Sequence, residues 1–217
     1  MTTLSQFKSN LRLRLNDPGS SRWSDAELDS YLDESTQRYS KLFPRGREAE
    51  FAANGIDTRY PLPDDLIDKK VYRVWFIVDG RIVEVPPVPF RSRHSVRYFD
   101  VIEQTIIFGA IFPDTGTVRV RYGALHNLPE SGDASVPSED EDLVYLWAEY
   151  LAWRKIGGAD ASLSRWKEGS ARNDGPIIPH YVYLERQYNR LVDEKKAGGR
   201  TLTLTRADRR PRFDPLY

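Results

Sequence analysis

The chain has 217 residues, and its 32 Lys and Arg balance 32 Asp and Glu, so the formal net charge at pH 7 is zero. That balance argues against a generally basic nucleic-acid binder, whose domain pI exceeds about 9. A 40% hydrophobic and 29% charged composition belongs to a chain that folds, and the lack of cysteine excludes disulfides, cysteine metal sites and thiol catalysis.

At roughly 150 residues per domain, the length allows one domain, or one plus an appendage. No run approaches the roughly 20 apolar residues that cross a bilayer. The N-terminal stretch MTTLSQFKSNLRLRL alternates apolar and polar residues and carries no signal-peptide core. The expectation is a cytosolic product.

The spacing of Leu4, Phe7, Leu11 and Leu15 predicts a helix over 3–16. Asp17-Pro18-Gly19-Ser20 stops it. The next start signal is sharper. Ser24 stands at an N-cap with Glu27 three residues on, a capping box, and Trp23 and Leu28 hold the two positions of a hydrophobic staple. Asp25 and Glu27 put negative charge at the positive end of the helix dipole. This second helix carries Leu28, Tyr31, Leu32, Ser35, Tyr39 and Leu42 on one face and ends near Phe43, before Pro44.

From about residue 51 the pattern becomes β-rich. Arg59-Tyr60-Pro61-Leu62-Pro63 reads as extended, because proline drives its predecessor out of the helical region. Residues 70–78 and 81–85 flank Asp79-Gly80 and predict a hairpin with a tight turn. Pro86-Pro87-Val88-Pro89 breaks the sheet. Residues 101–112 and 117–122 predict two further strands around the turn sequence Pro113-Asp114-Thr115-Gly116. Arg119 and Arg121 alternate with Val118, Val120 and Tyr122, giving one wet and one packed face. The middle block is thus expected to be one small antiparallel sheet.

A loop over 127–137 leads to Ser138, read as an N-cap, and to Glu139, Asp140, Glu141 and Asp142, read as first-turn charge. The third helix continues through Leu143, Leu146, Trp147, Tyr150, Leu151 and Arg154 to Gly157-Gly158. A short helix is expected over 160–172 and a long one over 179–196, ended by Gly198-Gly199. The last stretch is basic. Thr201-Leu202-Thr203-Leu204-Thr205 alternates like a strand with no partner strand beside it. The fold class is therefore α+β: a mainly α-helical bundle of about four helices (1–50 and 138–197), an inserted small antiparallel β block (51–137), and an extended C-terminal arm (198–217).

No catalytic constellation, cofactor motif or metal site emerges. His94, His126 and His180 lie far apart, and none has a second ligand at close spacing. GxGxxG, GxxxxGK[ST] and GxSxG are all absent. Consecutive carboxylates on a helix diverge, so the run 139–142 cannot converge on one ion. Trp147 and Tyr150 sit on an apolar helix face and read as core, or else as a subunit contact. The arm is the candidate functional segment. Arg200, Leu202, Leu204, Arg206, Arg209, Arg210, Arg212, Phe213 and Tyr217 suit strand addition plus anchoring on a partner.

Arg22-Trp23-Ser24-Asp25-Ala26-Glu27-Leu28, followed by Tyr31-Leu32-Asp33-Glu34-Ser35, resembles the opening of phage head-to-tail adaptor proteins, the connectors that ring the portal. Tyr60-Pro61-Leu62-Pro63-Asp64-Asp65 is similar to that family's approach to its β block. Residues 119–122 with Leu128-Pro129 are similar to the segment before its third helix. The resemblance covers about residues 1–196; the basic tail is not part of a fixed motif. It implies a structural virion protein at the head-tail junction, made in the host cytoplasm, with no catalytic residue. It further implies a homo-oligomeric ring of about twelve copies. The implied partners are the portal protein, bound through the arm, and tail or nozzle proteins. Viral DNA would pass through the lumen without sequence-specific binding, and no membrane would be involved.

Three other readings stay open on the residues alone. A tail terminator or tail accessory protein would share this composition and differ in its partner ring. A cellular binding module would carry a ligand site on the β block and would not assemble. A small hydrolase would need two converging acids, and the sequence nominates no such pair.

Overall fold

The structure is a computed structural model, and it describes residues 2–20, 22–87, 98–109, 116–159 and 178–207. The described elements are helices α1 (Leu4–Arg14), α2 (Asp25–Leu42), α3 (Glu141–Ala159) and α4 (Ile178–Ala207), and strands β1 (Arg45–Ala53), β2 (Arg59–Pro61), β3 (Leu66–Val78), β4 (Arg81–Val85), β5 (Phe99–Ile102), β6 (Thr105–Phe108) and β7 (Gly116–Ala124). The mixed α+β class is as expected. The chain divides into two compact units, one of Met1–Ser35 with Pro129–Tyr217 and one of Thr36–Leu128.

In the first unit, α1 starts with a capping box that the sequence reading passed over. The Thr3 hydroxyl accepts from Gln6 N at 3.3 Å, and Thr3 N donates to Gln6 Oε1 at 2.9 Å. Phe7, Leu11 and Leu15 are buried, as their spacing requires. The Phe7 ring stacks on Tyr145 of α3 at 5.0 Å. Trp147 of α3 meets Tyr188 of α4 at 5.0 Å and Tyr150 at 4.5 Å, so this aromatic set is core.

Three expectations are corrected here. Ser138 is not a side-chain cap: residues Ser138–Asp140 form a 3₁₀ turn whose N-cap is Pro137, and the acidic run leads from it into α3. Gly157 and Gly158 lie within the last turn of α3 rather than beyond it. Gly198 and Gly199 do not end α4, which runs on to Ala207, so Leu202 and Leu204 are helical rather than strand-like. A helix-interior glycine costs only about 1 kcal/mol relative to alanine, too little to stop a helix already propagating. The remainder of the expected arm, from Asp208 on, and the expected helix over 160–172 lie outside the described residues.

The second unit holds two antiparallel sheets rather than one. Their orders are β1-β7-β3-β4 and β2-β6-β5. Val74, Phe76, Val118, Val120, Tyr60, Leu62, Phe99, Ile106 and Phe108 close one apolar core between them. Where one strand is expected over 101–112 the chain forms two, β5 and β6, turned back at Glu103, which takes φ 55°; Ile102 pairs with Thr105, and residues 110–112 with the expected turn at 113–115 lie outside the described residues. The predicted hairpin holds, with Asp79 at φ 48° and Gly80 at φ 75°. Positive φ at both central residues is the type I′ turn that Asp-Gly favours. Strand β1 escaped the sequence reading because Arg45-Gly46-Arg47-Glu48-Ala49-Glu50 has no β signature. Its register against β7 supplies the reason it forms. Glu50 lies opposite Arg119, and Phe51 opposite Val118. The Arg119 guanidinium then binds Glu50 at 2.7 Å.

Candidate functional site

The capping-box phrase that stood out in the sequence is the joint of the first unit. Trp23 is 1% exposed, and its ring meets Trp153 of α3 edge-on at 5.8 Å. Ser24 N donates to Glu27 Oε2 at 2.8 Å, and Glu27 N donates to the Ser24 hydroxyl at 3.3 Å. The box is therefore closed both ways. Leu28 at the staple position is fully buried.

The turn before the phrase is built on Asp17, a buried carboxylate. It accepts from Arg22 N at 3.2 Å and from Trp23 N at 3.2 Å. Arg12 of α1 reaches Asp17 at 3.5 Å, the Trp23 carbonyl at 3.1 Å and Asp25 at 2.5 Å. One guanidinium thus links α1, the turn and the start of α2. Its hydrogen bond holds the Asp25 carboxyl below the usual range.

Glu27 serves α3 as well as its own cap, by an ion pair with Lys155. That hydrogen bond first, and the Ser24 bonds after it, lower the Glu27 carboxyl to about 2. Arg14 makes a parallel tie. It binds Asp142, reaches Glu149 at 3.1 Å, and lies 4.5 Å over the Tyr145 ring. Burial raises the Glu149 carboxyl, and the bond from Arg14 opposes the rise. Asp140, also buried, pairs with Lys195 of α4. The acidic run is thus spent on separate helices, not on a common ion. Among the described residues, no group of three or more His, Asp or Glu could hold a metal ion.

The other quoted phrases also sit at junctions. Asp65 accepts from Arg47 of β1 at 2.7 Å and from the Tyr122 hydroxyl of β7 at 2.9 Å, while its carbonyl accepts from Leu125 N at 2.8 Å. The Pro129 carbonyl accepts from Leu4 N at 3.1 Å, where α1 begins. His126 is a structural residue: its ring Nε2 lies 3.0 Å from the Phe43 carbonyl, and its backbone N–H donates to the Ser40 hydroxyl at 2.9 Å. His180 packs edge-on against Trp153 at 5.2 Å. His94 lies outside the described residues.

Of the expected arm, Arg200, Leu202, Leu204 and Arg206 fall on the last turns of α4. Arg209, Arg210, Arg212, Phe213 and Tyr217 lie outside the described residues. Missed in the sequence were Asp17, Arg12 and Arg14, whose roles depend on contacts between helices. The adjacency of Asp17 to a Pro-Gly turn was the available signal. Among the described residues, no helix is long and apolar enough to cross a membrane.

The family model of the SU10 adaptor protein matches residues 2–173. Among solved structures, the chain is similar to one described as the neck of an empty GTA particle computed with C6 symmetry. The identity is 17%, the match covers 85% of this chain and 86% of that one, and the TM-score is 0.30. No curated protein matches the sequence.

Proposed function

The chain belongs to the SU10 adaptor protein family, and from that premise we propose that it is a structural protein of the virion that joins the portal of the DNA-filled head to the tail. The likeness to phage head-to-tail adaptors read from the short motifs is borne out by the family match. That match carries the proposal, and this family is not an enzyme class.

In this reading the copies close into a ring of about twelve by head-to-tail contacts. The helices pack as a bundle, subunit to subunit. The second unit faces outward or toward the tail proteins, and DNA passes through the lumen. Net charge zero suits that passage, because dense phosphate contacts would bind DNA strongly. The internal ion pairs of the first unit support a structural role: Glu27, Glu149 and Asp140 are each engaged by a cation of another helix. The portal-binding segment is Arg200, Leu202, Leu204 and Arg206 at the end of α4, continued by Arg209, Arg210, Arg212, Phe213 and Tyr217.

The test is mass photometry of the full chain, alone and with the portal ring of the same particle. A ring-on-ring species is expected on mixing. A chain lacking residues 200–217 is expected to lose portal docking while keeping its thermal midpoint. Undiminished docking by that truncation refutes the arm, and a full chain that ignores the portal refutes the adaptor role.

A further inference from the structure

An isoleucine at a protein surface is ordinary. Ile56 is unusual in how it is held. It is 77% exposed, yet the turn that carries it, residues 54–58 between β1 and β2, is fixed from within. The Asn54 side-chain oxygen accepts from Ile56 N at 3.1 Å and from Asp57 N at 2.8 Å. The Asn54 amide donates to the Asp57 carboxylate, and the Tyr60 hydroxyl donates to the Asp57 carbonyl at 3.2 Å. Tyr60 is itself buried, with the Phe51 ring at 5.9 Å and the Phe108 ring at 5.8 Å. Gly55 takes φ 69°, the left-handed backbone that glycine adopts without strain. A tip whose backbone is ordered before contact loses less entropy on binding.

The same unit holds a socket. A cavity of about 300 Å³ is lined by Val71 and Tyr72 of β3, Pro87, and Phe99 and Val101 of β5, with Lys69 and Asp100 as its charged members. Its wall is preformed. The Tyr72 hydroxyl lies over Gly123, where a Cβ would come within 2.8 Å of that oxygen, and Phe99 N donates to the Pro86 carbonyl at 3.1 Å. The Asp100 carboxylate accepts from Val101 N at 2.7 Å. Lys69 is exposed and, among the described residues, has no carboxylate at ion-pair distance.

Topology separates the two features. The turn joins β1 to β2, each an edge strand of its own sheet. The socket is lined from β3 and β5, which lie beyond β7 and β6 respectively. Two strand spacings, about 10 Å, separate turn from socket in each sheet. Knob and socket thus lie toward opposite flanks of one unit. A contact between different patches of identical chains is heterologous, and it propagates from copy to copy until a ring closes.

We infer that Ile56 of one copy seats in the Val71–Phe99–Val101 socket of the next copy. Asp57, exposed beside Ile56, then meets the Lys69 of that copy, so the rim is complementary in charge as the centre is in polarity. The inference rests on the ring-forming reading and assigns this unit a part in joining the copies, beside the helix-to-helix packing.

The chain has no cysteine, so paired substitutions report the contact directly. The full chain carrying Ile56→Cys and Val101→Cys is oxidised, alone at high concentration and mixed with the portal ring. Denaturing gels are expected to show a ladder of covalent multimers, absent from either single variant. Covalent dimers alone indicate a two-fold contact and overturn the inference, as does a bridge within one chain. So does the absence of a ladder under both conditions. A ring-on-ring species in mass photometry without a ladder sinks this contact and leaves the adaptor role standing; a ladder from a chain that ignores the portal does the reverse. A second variant, Ile56→Ser, is expected to weaken association between copies by about tenfold or more. Its thermal midpoint as a monomer is expected to match the parent's, because the side chain is exposed there. Undiminished association of that variant also overturns the inference.

Discussion

Trp23 shows how much one side chain carries in this molecule. Its backbone N–H is held by Asp17, its carbonyl by Arg12, and its ring by Trp153. The three partners come from a turn, α1 and α3. The change Trp23→Ala removes a fully buried ring and leaves a void that the helices cannot close, at a cost of about 3–5 kcal/mol. Urea unfolding of the full chain measures it. A loss below about 0.5 kcal/mol, the range of surface changes, would mean that the ring is not a core element. Arg12 and Arg14 act differently from Trp23. Each is a charged group tying α1 to a partner, and neither could be picked out from the many arginines of the sequence by type alone.

Among the elements, the β3–β4 hairpin is the most local. Asp79 and Gly80 form its turn unaided, and the register from Val78 against Arg81 to Val74 against Val85 follows from that turn. Gly80 sits at φ 75° with open space where a Cβ would lie, so conformation alone sets the effect of substitution. Gly80→Ala is expected to destabilise by about 1 kcal/mol, read as a lower denaturant midpoint with unchanged slope. A neutral result would show that the turn relaxes to another type. Strand β1 is the opposite case. Its own residues favour no strand, and β7 supplies the charges and valines that make it one.

For the whole molecule, the balance of 32 cations and 32 anions makes acid the revealing perturbation. Glu27 is held near 2, first by Lys155, against an ordinary value of 4.5. Asp25 is held down by Arg12. Both carboxyls bind a proton less readily folded than unfolded. Their contribution is therefore complete above about pH 4.5 and is lost as pH falls toward 2. Glu149 has the opposite sign: burial raises it, so its ionised form weakens the fold above that raised value. The stability curve is expected to drop between about pH 4.5 and 2, and Glu27→Gln to flatten that drop. Unfolding midpoints over this range decide it; the same acid limb in the variant would show that the Lys155 pair contributes nothing.

What the sequence alone determined are the features governed by neighbours along the chain. The Ser24–Glu27 box, the Asp79-Gly80 turn, the alternation of β7 and the apolar stripe of α1 all rest on interactions across a few residues, and all are legible by spacing. The short phrases pointing to an adaptor family belong here too, and the first of them is the cap of α2. Only tertiary structure decided the rest. It made a strand of Arg45–Ala53 and divided the expected sheet in two. It also placed Arg73 opposite Arg121 across a bulge and brought Lys155 to Glu27. The physical reason is common to these cases. Charge pairing, register and core closure act between residues far apart in the chain, and only their sum over a whole element exceeds the local preferences they override.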